Sequence, residues 1–412
     1  MGKLAIYGGR PVRDKPFPTW PIFGEEERRN LLEVFESGKW WYGEKVKEFE
    51  EKFALFQDAK YGISCTNGTA ALEIGLISCG VKPGEEVIVP PYTFIATASS
   101  VLKVNAIPVF ADIDIKTGNL DPKDTERKIT EKTKAIIPVH FAGLPADMDA
   151  FLFLAEKYNL KIIEDACHSW GSKWKNKGTG ALGDCGAFSF QMSKNITSGE
   201  GGILLTDNKE IEEIARSYSN CGRGKDKPWY YHYILGDNLR MTELQAAILL
   251  GQLTRLEEQT IKREENAKYL DKNLKDFEGI EIVPMDNRVT RRSYHLYMFR
   301  FIKEKWEIER EVFIKALNAE GIPVSSGYPI PIYKNPLFQK KVKGPEGCPI
   351  SCPYYRKKID YSEVYCPNAE RLCEEAVWIS HSVLLAEKED MRDIINAIEK
   401  IYKNREQLKI GI

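Results

Sequence analysis

Between residues 60 and 206 the chain alternates short apolar runs with helical patterns. The runs are Glu86–Pro90, Ile107–Ile113, Lys134–His140, Leu160–Glu164, Gly186–Phe190 and Gly202–Thr206. Most place β-branched and apolar residues at successive positions, as strands buried on both faces do. Helical patterns lie between several of them, including Ala70–Cys79 and Asp147–Tyr158. Strand–helix alternation predicts an α/β layer with a mainly parallel sheet. A long helical pattern then covers 243–277, and its apolar stripe gives way to a charged one. It reads as the connection to a smaller C-terminal unit with a strand-like Ser293–Phe301, a helix at Glu309–Glu320 and a last helix at Lys388–Asn404. The expected division is 1–265 for the N-terminal segment and large domain, and 266–412 for the small domain.

With 412 residues and 43% hydrophobic content, the chain has ample material for two cores. The 59 basic and 60 acidic residues leave a net charge of −1, which gives no electrostatic reason to expect nucleic acid or an anionic membrane as partner. The N-terminal stretch has no long apolar run, and no later run approaches a membrane span. Together with nine cysteines, this favours reduced thiols in a cytoplasm.

Three segments carry candidate chemistry. In Cys65-Thr66-Asn67-Gly68-Thr69 a strand-like YGISC precedes a helix that Thr66 or Asn67 can cap. The N–H groups of Gly68 and Thr69 make an anion site there; an ordinary capped helix reads the same way. In Ile162-Ile163-Glu164-Asp165-Ala166-Cys167-His168, Asp165 closes a buried strand, where α/β sheets place ligands. Asp165 can hold a pyridinium N–H, and His168 lies three residues on; a capping Asp and a core histidine are the alternative. The third segment runs from Gly186 to Gly202. It is a strand, a polar turn with one lysine, Lys194, and a glycine-rich return. A lysine at a strand end is desolvated, which lowers its pKa and suits it to Schiff-base formation. Ser189 stands near the same rim and can reach a phosphate.

Gly178-Thr179-Gly180-Ala181-Leu182-Gly183 fits G-x-G-x-x-G. A dinucleotide fingerprint needs a strand before it and a helix after it. Here a charged stretch precedes and a strand follows, so a nicotinamide reading is rejected. Cys348, Cys352, Cys366 and Cys373 lack the spacing of a zinc site, and no metal is expected.

Taken together, the NGTAAL, PYTFIATA, VHFAG, EDACHSWG, FSFQMSKNITSGEGG and NLRMTELQAA segments resemble the sugar aminotransferase family called DegT/DnrJ/EryC1/StrS. The resemblance runs from about Gly8 to the C-terminal helix. It implies a fold-type I transferase that uses pyridoxal 5'-phosphate, with a seven-stranded, mostly parallel sheet, a smaller α+β domain and a homodimer with shared active sites. By position, Lys194 is the Schiff-base lysine and proton-transfer base. Asp165 pairs with the pyridine nitrogen, His168 sits near the ring oxygen and Phe94 stacks on the ring. Gly68, Thr69 and Ser189 hold the phosphate, and Asn238 reaches that of the other subunit. The aromatic loop before Asn238, Lys227–Tyr231, then lies at the interface.

The implied reaction is ping-pong transfer of an amino group from glutamine or glutamate to a ketone. Gln191 stands where many relatives have His. That version, with the Trp378–His381 tail, resembles the branch acting on cyclitol ketones and aminohydroxybenzoate precursors. Gly327–Tyr333 resembles its substrate-side loop, with Tyr328 facing substrate or packing between prolines. A nucleotide-linked keto-sugar is the other substrate reading. It needs a basic groove, which Arg223, Lys225 and Lys227 either supply or, as a solvated cluster, do not. A regulatory relative or a dehydratase remains as a different class; dehydrating relatives typically carry His in place of the lysine.

Overall fold

The computed structural model describes residues 3–339, 355 and 359–409. The α/β layer holds β1 (Tyr61–Cys65), β2 (Glu86–Val89), β3 (Ile107–Phe110), β4 (Thr133–Ile136) and β5 (Lys161–Asp165). A small hairpin follows, β6 (Lys173–Trp174) and β7 (Lys177–Gly178), and then β8 (Cys185–Ser189) and β9 (Gly202–Thr206). The seven-stranded order is β1-β9-β8-β5-β4-β2-β3. Only β9 runs antiparallel to its neighbours β1 and β8; the other pairs are parallel. Every residue of β2, β8 and β9 is buried, which is why these strands read as continuous apolar runs.

The end of β5 is fixed from behind. Glu164 is fully buried and receives the backbone N–H groups of Gly180, Leu182 and Gly183, each at 2.7 Å. His140 Nε2 adds a fourth bond at 2.8 Å. Its Nδ1 accepts the Ala146 N–H at 3.0 Å, so the ring proton sits on Nε2. The G-x-G-x-x-G motif is therefore a turn that offers its N–H groups to the chain's own carboxylate, with Gly180 at φ +82°. Glu164 anchors the strand whose next residue is Asp165.

The second sheet joins β10 (Ile280–Ile282), β12 (Leu296–Phe301), β13 (Val324–Ser326) and β14 (Ala376–Ser380) in the antiparallel order β10-β12-β14-β13. The remaining strand, β11 (Val289–Arg291), pairs with β6 of the hairpin. Beside this second sheet Phe301 and Phe313 stack at 4.3 Å, with Trp306 against both.

A 32-residue helix, Glu243–Leu274, connects the two sheets, with Thr242 and Gln245 forming its capping box. Its Ala246, Leu249 and Leu250 pack with Phe49, Phe53 and Phe190, whereas Ala267, Leu270 and Leu274 pack in the second core. Leu4 belongs to that second core. Glu320 accepts the N–H groups of Ala5 and Val12, and Arg13 pairs with Asp390 and Asp393. The first residues, grouped in sequence with the large domain, thus pack against the small one.

The strand expected from Ser293 begins at Leu296. Ser293 is diverted into the large domain, where its N–H donates to Ser172 Oγ at 3.0 Å, and Tyr294 takes φ +47°. The diversion brings His295 to the site described next.

Candidate active site

The ends of β1, β5 and β8 open onto one cavity of about 930 Å³. Nine of the ten residues singled out in the sequence line it: Gly68, Thr69, Phe94, Asp165, His168, Ser189, Gln191, Lys194 and Tyr328. Asn238 does not. It is exposed, pairs with Asn220 in an isolated bridge, and follows a loop in which Trp229, Tyr230 and Tyr231 are exposed.

The helix Gly68–Ser78 starts at the cavity. Its cap is Asn67, whose side chain accepts from the Ala70 N–H at 2.9 Å. That leaves the earlier N–H groups of Gly68 and Thr69 for an anion. A Cβ at position 68 would lie 2.7 Å from Ser189 Cβ and 2.9 Å from Cys167 Sγ, so the backbone is pressed directly onto the end of β8.

Asp165 is 5% exposed and is held on both oxygens. Thr97 Oγ1 donates to Oδ2 at 2.7 Å and the Cys167 N–H to Oδ1 at 3.2 Å. Thr97, fully buried, was not singled out in the sequence; PYTFIATA gives no sign of it beyond one hydroxyl among others.

Lys194 sits in the turn after β8, with Nζ 5.8 Å from the centre of the Trp170 ring. Burial lowers its pKa below the ordinary 10.5, partly offset by the neighbouring Cys167 and Asp165. Three histidines gather beside it. The rings of His168 and His295 lie 4.4 Å apart, and His295 stacks on His381 at 5.7 Å. Burial holds all three well below 6.5, reinforced by Lys194 in each case and by Arg263 at His295 and His381. They are neutral at physiological pH. His168 Nδ1 is buried and has no hydrogen-bond partner, an unusual state for a polar atom and one that a bound polar group would relieve.

The remaining walls are aromatic and polar. Phe94 is 57% exposed at the rim, leaving a ring face open. Tyr328 packs edge-on against Trp378 at 4.9 Å and Tyr92 at 5.4 Å. Gln191 Oε1 accepts from the Ser193 N–H and hydroxyl, both at 2.8 Å, so its amide nitrogen is the group left to offer. Cys366 and Cys373 are buried free thiols, while Cys348 and Cys352 lie outside the described residues. Among the described residues no cluster of three metal-ligating side chains occurs.

Residues 21–352 match the DegT/DnrJ/EryC1/StrS aminotransferase family. The chain belongs to this family. A relative from Micromonospora echinospora, provisionally named an L-glutamine:3-amino-2,3-dideoxy-scyllo-inosose aminotransferase, is 38% identical over 99% of each chain. The 3-amino-5-hydroxybenzoate synthase of Amycolatopsis mediterranei is 36% identical over 90% of this chain and 93% of its own. The crystal structure of a 3-amino-5-hydroxybenzoic acid synthase superposes with a TM-score of 0.85 at 34% identity, covering 96% of this chain and all of that one. As a family member the chain is an aminotransferase with the α/β fold that its motifs implied.

Proposed function

We propose that the protein uses pyridoxal 5'-phosphate to move an amino group from glutamine or glutamate to a cyclitol ketone. The observation that carries the reading is the convergence on one cavity of a desolvated amine (Lys194), a buried carboxylate (Asp165) and a helix start with free N–H groups (Gly68, Thr69). The unpartnered His168 Nδ1 and the helix start at Gly68 and Thr69 suit a planar polar ring with an anionic tail.

When bound, pyridoxal phosphate supplies a carbonyl that takes up the amino group and a ring that stores an electron pair. The rest falls to the chain's own residues. Gly68, Thr69 and Ser189 hold the phosphate; Phe94 covers a ring face. Asp165, kept in place by Thr97 and Cys167, holds a proton on the ring nitrogen. His168, neutral through burial, meets the ring oxygen. Lys194, its ammonium form disfavoured by burial, would be the amine that holds the coenzyme, and would move the proton at the donor's α-carbon. Tyr328 and the Gln191 amide face the ketone.

Exposed Trp229, Tyr230 and Tyr231 beside Asn238 support a homodimer in which Asn238 completes the partner's phosphate site. Among the described residues no helix is long and apolar enough to cross a membrane, in line with a cytoplasmic enzyme. The similarity to an inosose aminotransferase over nearly the whole chain favours a cyclitol over a nucleotide-linked keto-sugar.

The test is a half-reaction screen. The pyridoxamine form of the protein is offered scyllo-inosose, keto-sugar nucleotides and simple keto acids, and the coenzyme absorbance is followed. Conversion by scyllo-inosose is expected; conversion only by a keto-sugar nucleotide overturns the cyclitol reading. Lys194→Ala should abolish turnover.

A further inference from the structure

The turn bearing Lys194 is closed by its own bonds. Phe190 N–H donates to the Gly201 carbonyl at 2.8 Å, Met192 N–H to Gly199 at 2.9 Å and Lys194 N–H to Gln191 at 2.9 Å. None of these bonds uses the carbonyls of Met192 and Ser193, the two that precede Lys194. Both are taken by side chains from outside the seven-stranded sheet. Trp20 Nε1–H, from the N-terminal segment, donates to the Met192 carbonyl at 3.0 Å. His381 Nε2–H, just past β14, donates to the Ser193 carbonyl at 3.1 Å. The two rings meet edge to face at 4.6 Å.

Behind His381 stands Arg263, fully buried on the 32-residue helix. Its Nη2–H donates to His381 Nδ1 and its Nε–H to the His381 carbonyl, both at 3.3 Å. A guanidinium only donates and a carbonyl only accepts, so the His381 ring is neutral with its proton on Nε2. Among the described residues no carboxylate forms an ion pair with Arg263, and Nη1 has no hydrogen-bond partner. Nη2 also reaches Gln259 Oε1 at 3.4 Å and the guanidinium faces the Trp20 ring at 5.7 Å, but a buried cation without a carboxylate partner costs stability. Fixing the orientation and tautomer of His381 gives it a use.

Taking Lys194 as the coenzyme-bearing amine of the proposed function, we infer that Trp20, His381 and, through His381, Arg263 are positioning residues that clamp the lysine turn. The N-terminal segment, the long helix and the small domain thereby set where the amine stands. The groups that bear on Lys194 electrostatically are Asp165 and Cys167 at the end of β5 and the three neutral histidines, with Arg263 behind them. Loosening the clamp moves the amine relative to all of these, and misplacement by about 1 Å is enough to cost on the order of 100-fold in rate.

The experiment compares coenzyme-loaded parent, His381→Phe and His381→Gln. Phenylalanine keeps a ring beside Trp20 but neither bonds Ser193 nor accepts from Arg263; glutamine can do both. The readouts are kcat and KM for the amino donor and, independently of turnover, the pH midpoint of the coenzyme's absorbance change. His381→Phe should lower kcat by about tenfold or more with KM within about twofold, and should displace the midpoint by about half a pH unit or more. His381→Gln should keep kcat within about threefold and retain the parent midpoint. Parent values in His381→Phe, or equal losses in both variants, overturn the inference. Should His381→Phe yield no folded protein, Trp20→Phe decides it, with a displaced midpoint and lowered kcat expected and parent values contradicting. Lys194→Ala is the control: an absorbance titration that survives in it refutes the site reading itself, whereas a parent that responds normally beside an unaffected His381→Phe refutes the clamp alone.

Discussion

Replacing Gly68 with alanine tests the anion cradle directly. The added methyl would stand 2.7 Å from Ser189 Cβ and 2.9 Å from Cys167 Sγ. Carbon atoms in contact prefer about 3.5–4.0 Å, so the helix start must retreat from β8 by roughly 0.8 Å. Ser189 cannot yield easily, because it closes a strand that is buried along its whole length. A retreat of that size takes one N–H out of good hydrogen-bond geometry with an anion held between helix and strand. A hydrogen bond to a charged group contributes about 1.5–3 kcal/mol, which corresponds to a roughly 10- to 150-fold rise in the dissociation constant of the coenzyme. Global stability should move less, since alanine gains up to about 1 kcal/mol over glycine within a helix and offsets part of the crowding. The assay is a fluorescence titration of apo protein with pyridoxal phosphate beside a urea melt. Parent affinity in Gly68→Ala would remove the helix start from the phosphate site.

Two further predictions concern the frame around the site. Glu164→Gln leaves one oxygen for four donors, so two buried N–H groups, those of Gly180 and His140 if the oxygen stays with Leu182 and Gly183, meet an amide N–H₂ instead. Each such loss costs about 1–3 kcal/mol, and the urea midpoint should fall accordingly; an unchanged midpoint contradicts the carboxylate cradle. Acid should unfold the apo protein early. His168, His295 and His381 stay neutral when folded, with values well below 6.5, but take up protons below about pH 6.5 when unfolded. The unfolded state then binds more protons, so stability is lost as pH falls below that value, by up to about 4 kcal/mol per pH unit for the three together. Urea midpoints that stay constant from pH 7 to 5 would contradict the buried-histidine arrangement.

What could be read in the chain follows from how each feature is encoded. Strands such as β2 and β9 were legible because burial on both faces confines polar residues to their ends, Glu86 and Thr206. Asp165 and Gly68 were legible as candidates because each ends or begins an element inside a local motif, and Lys194 because it is the lone lysine of the turn after β8. Thr97, His295 and His381 were not, because their roles depend on distant packing. A histidine closing an apolar strand such as β14 reads the same whether it fills a core or holds the Ser193 carbonyl from nearly 200 residues away in sequence. Trp20 is hidden for the same reason. The glycine motif at Gly178–Gly183 could be rejected as a dinucleotide site from its context, but its bond to Glu164 could not be read from the chain. Asn238 lies outside this chain's own cavity, and its expected role would need a second subunit.

The most direct measurement is to incubate the protein with pyridoxal phosphate, reduce it with borohydride and map the coenzyme's mass by peptide mass spectrometry. Lys194 should be the one modified residue, with labelling greatly reduced in Gly68→Ala at limiting coenzyme. Label spread over surface lysines, or an unmodified Lys194 peptide from protein that has taken up coenzyme, would contradict it.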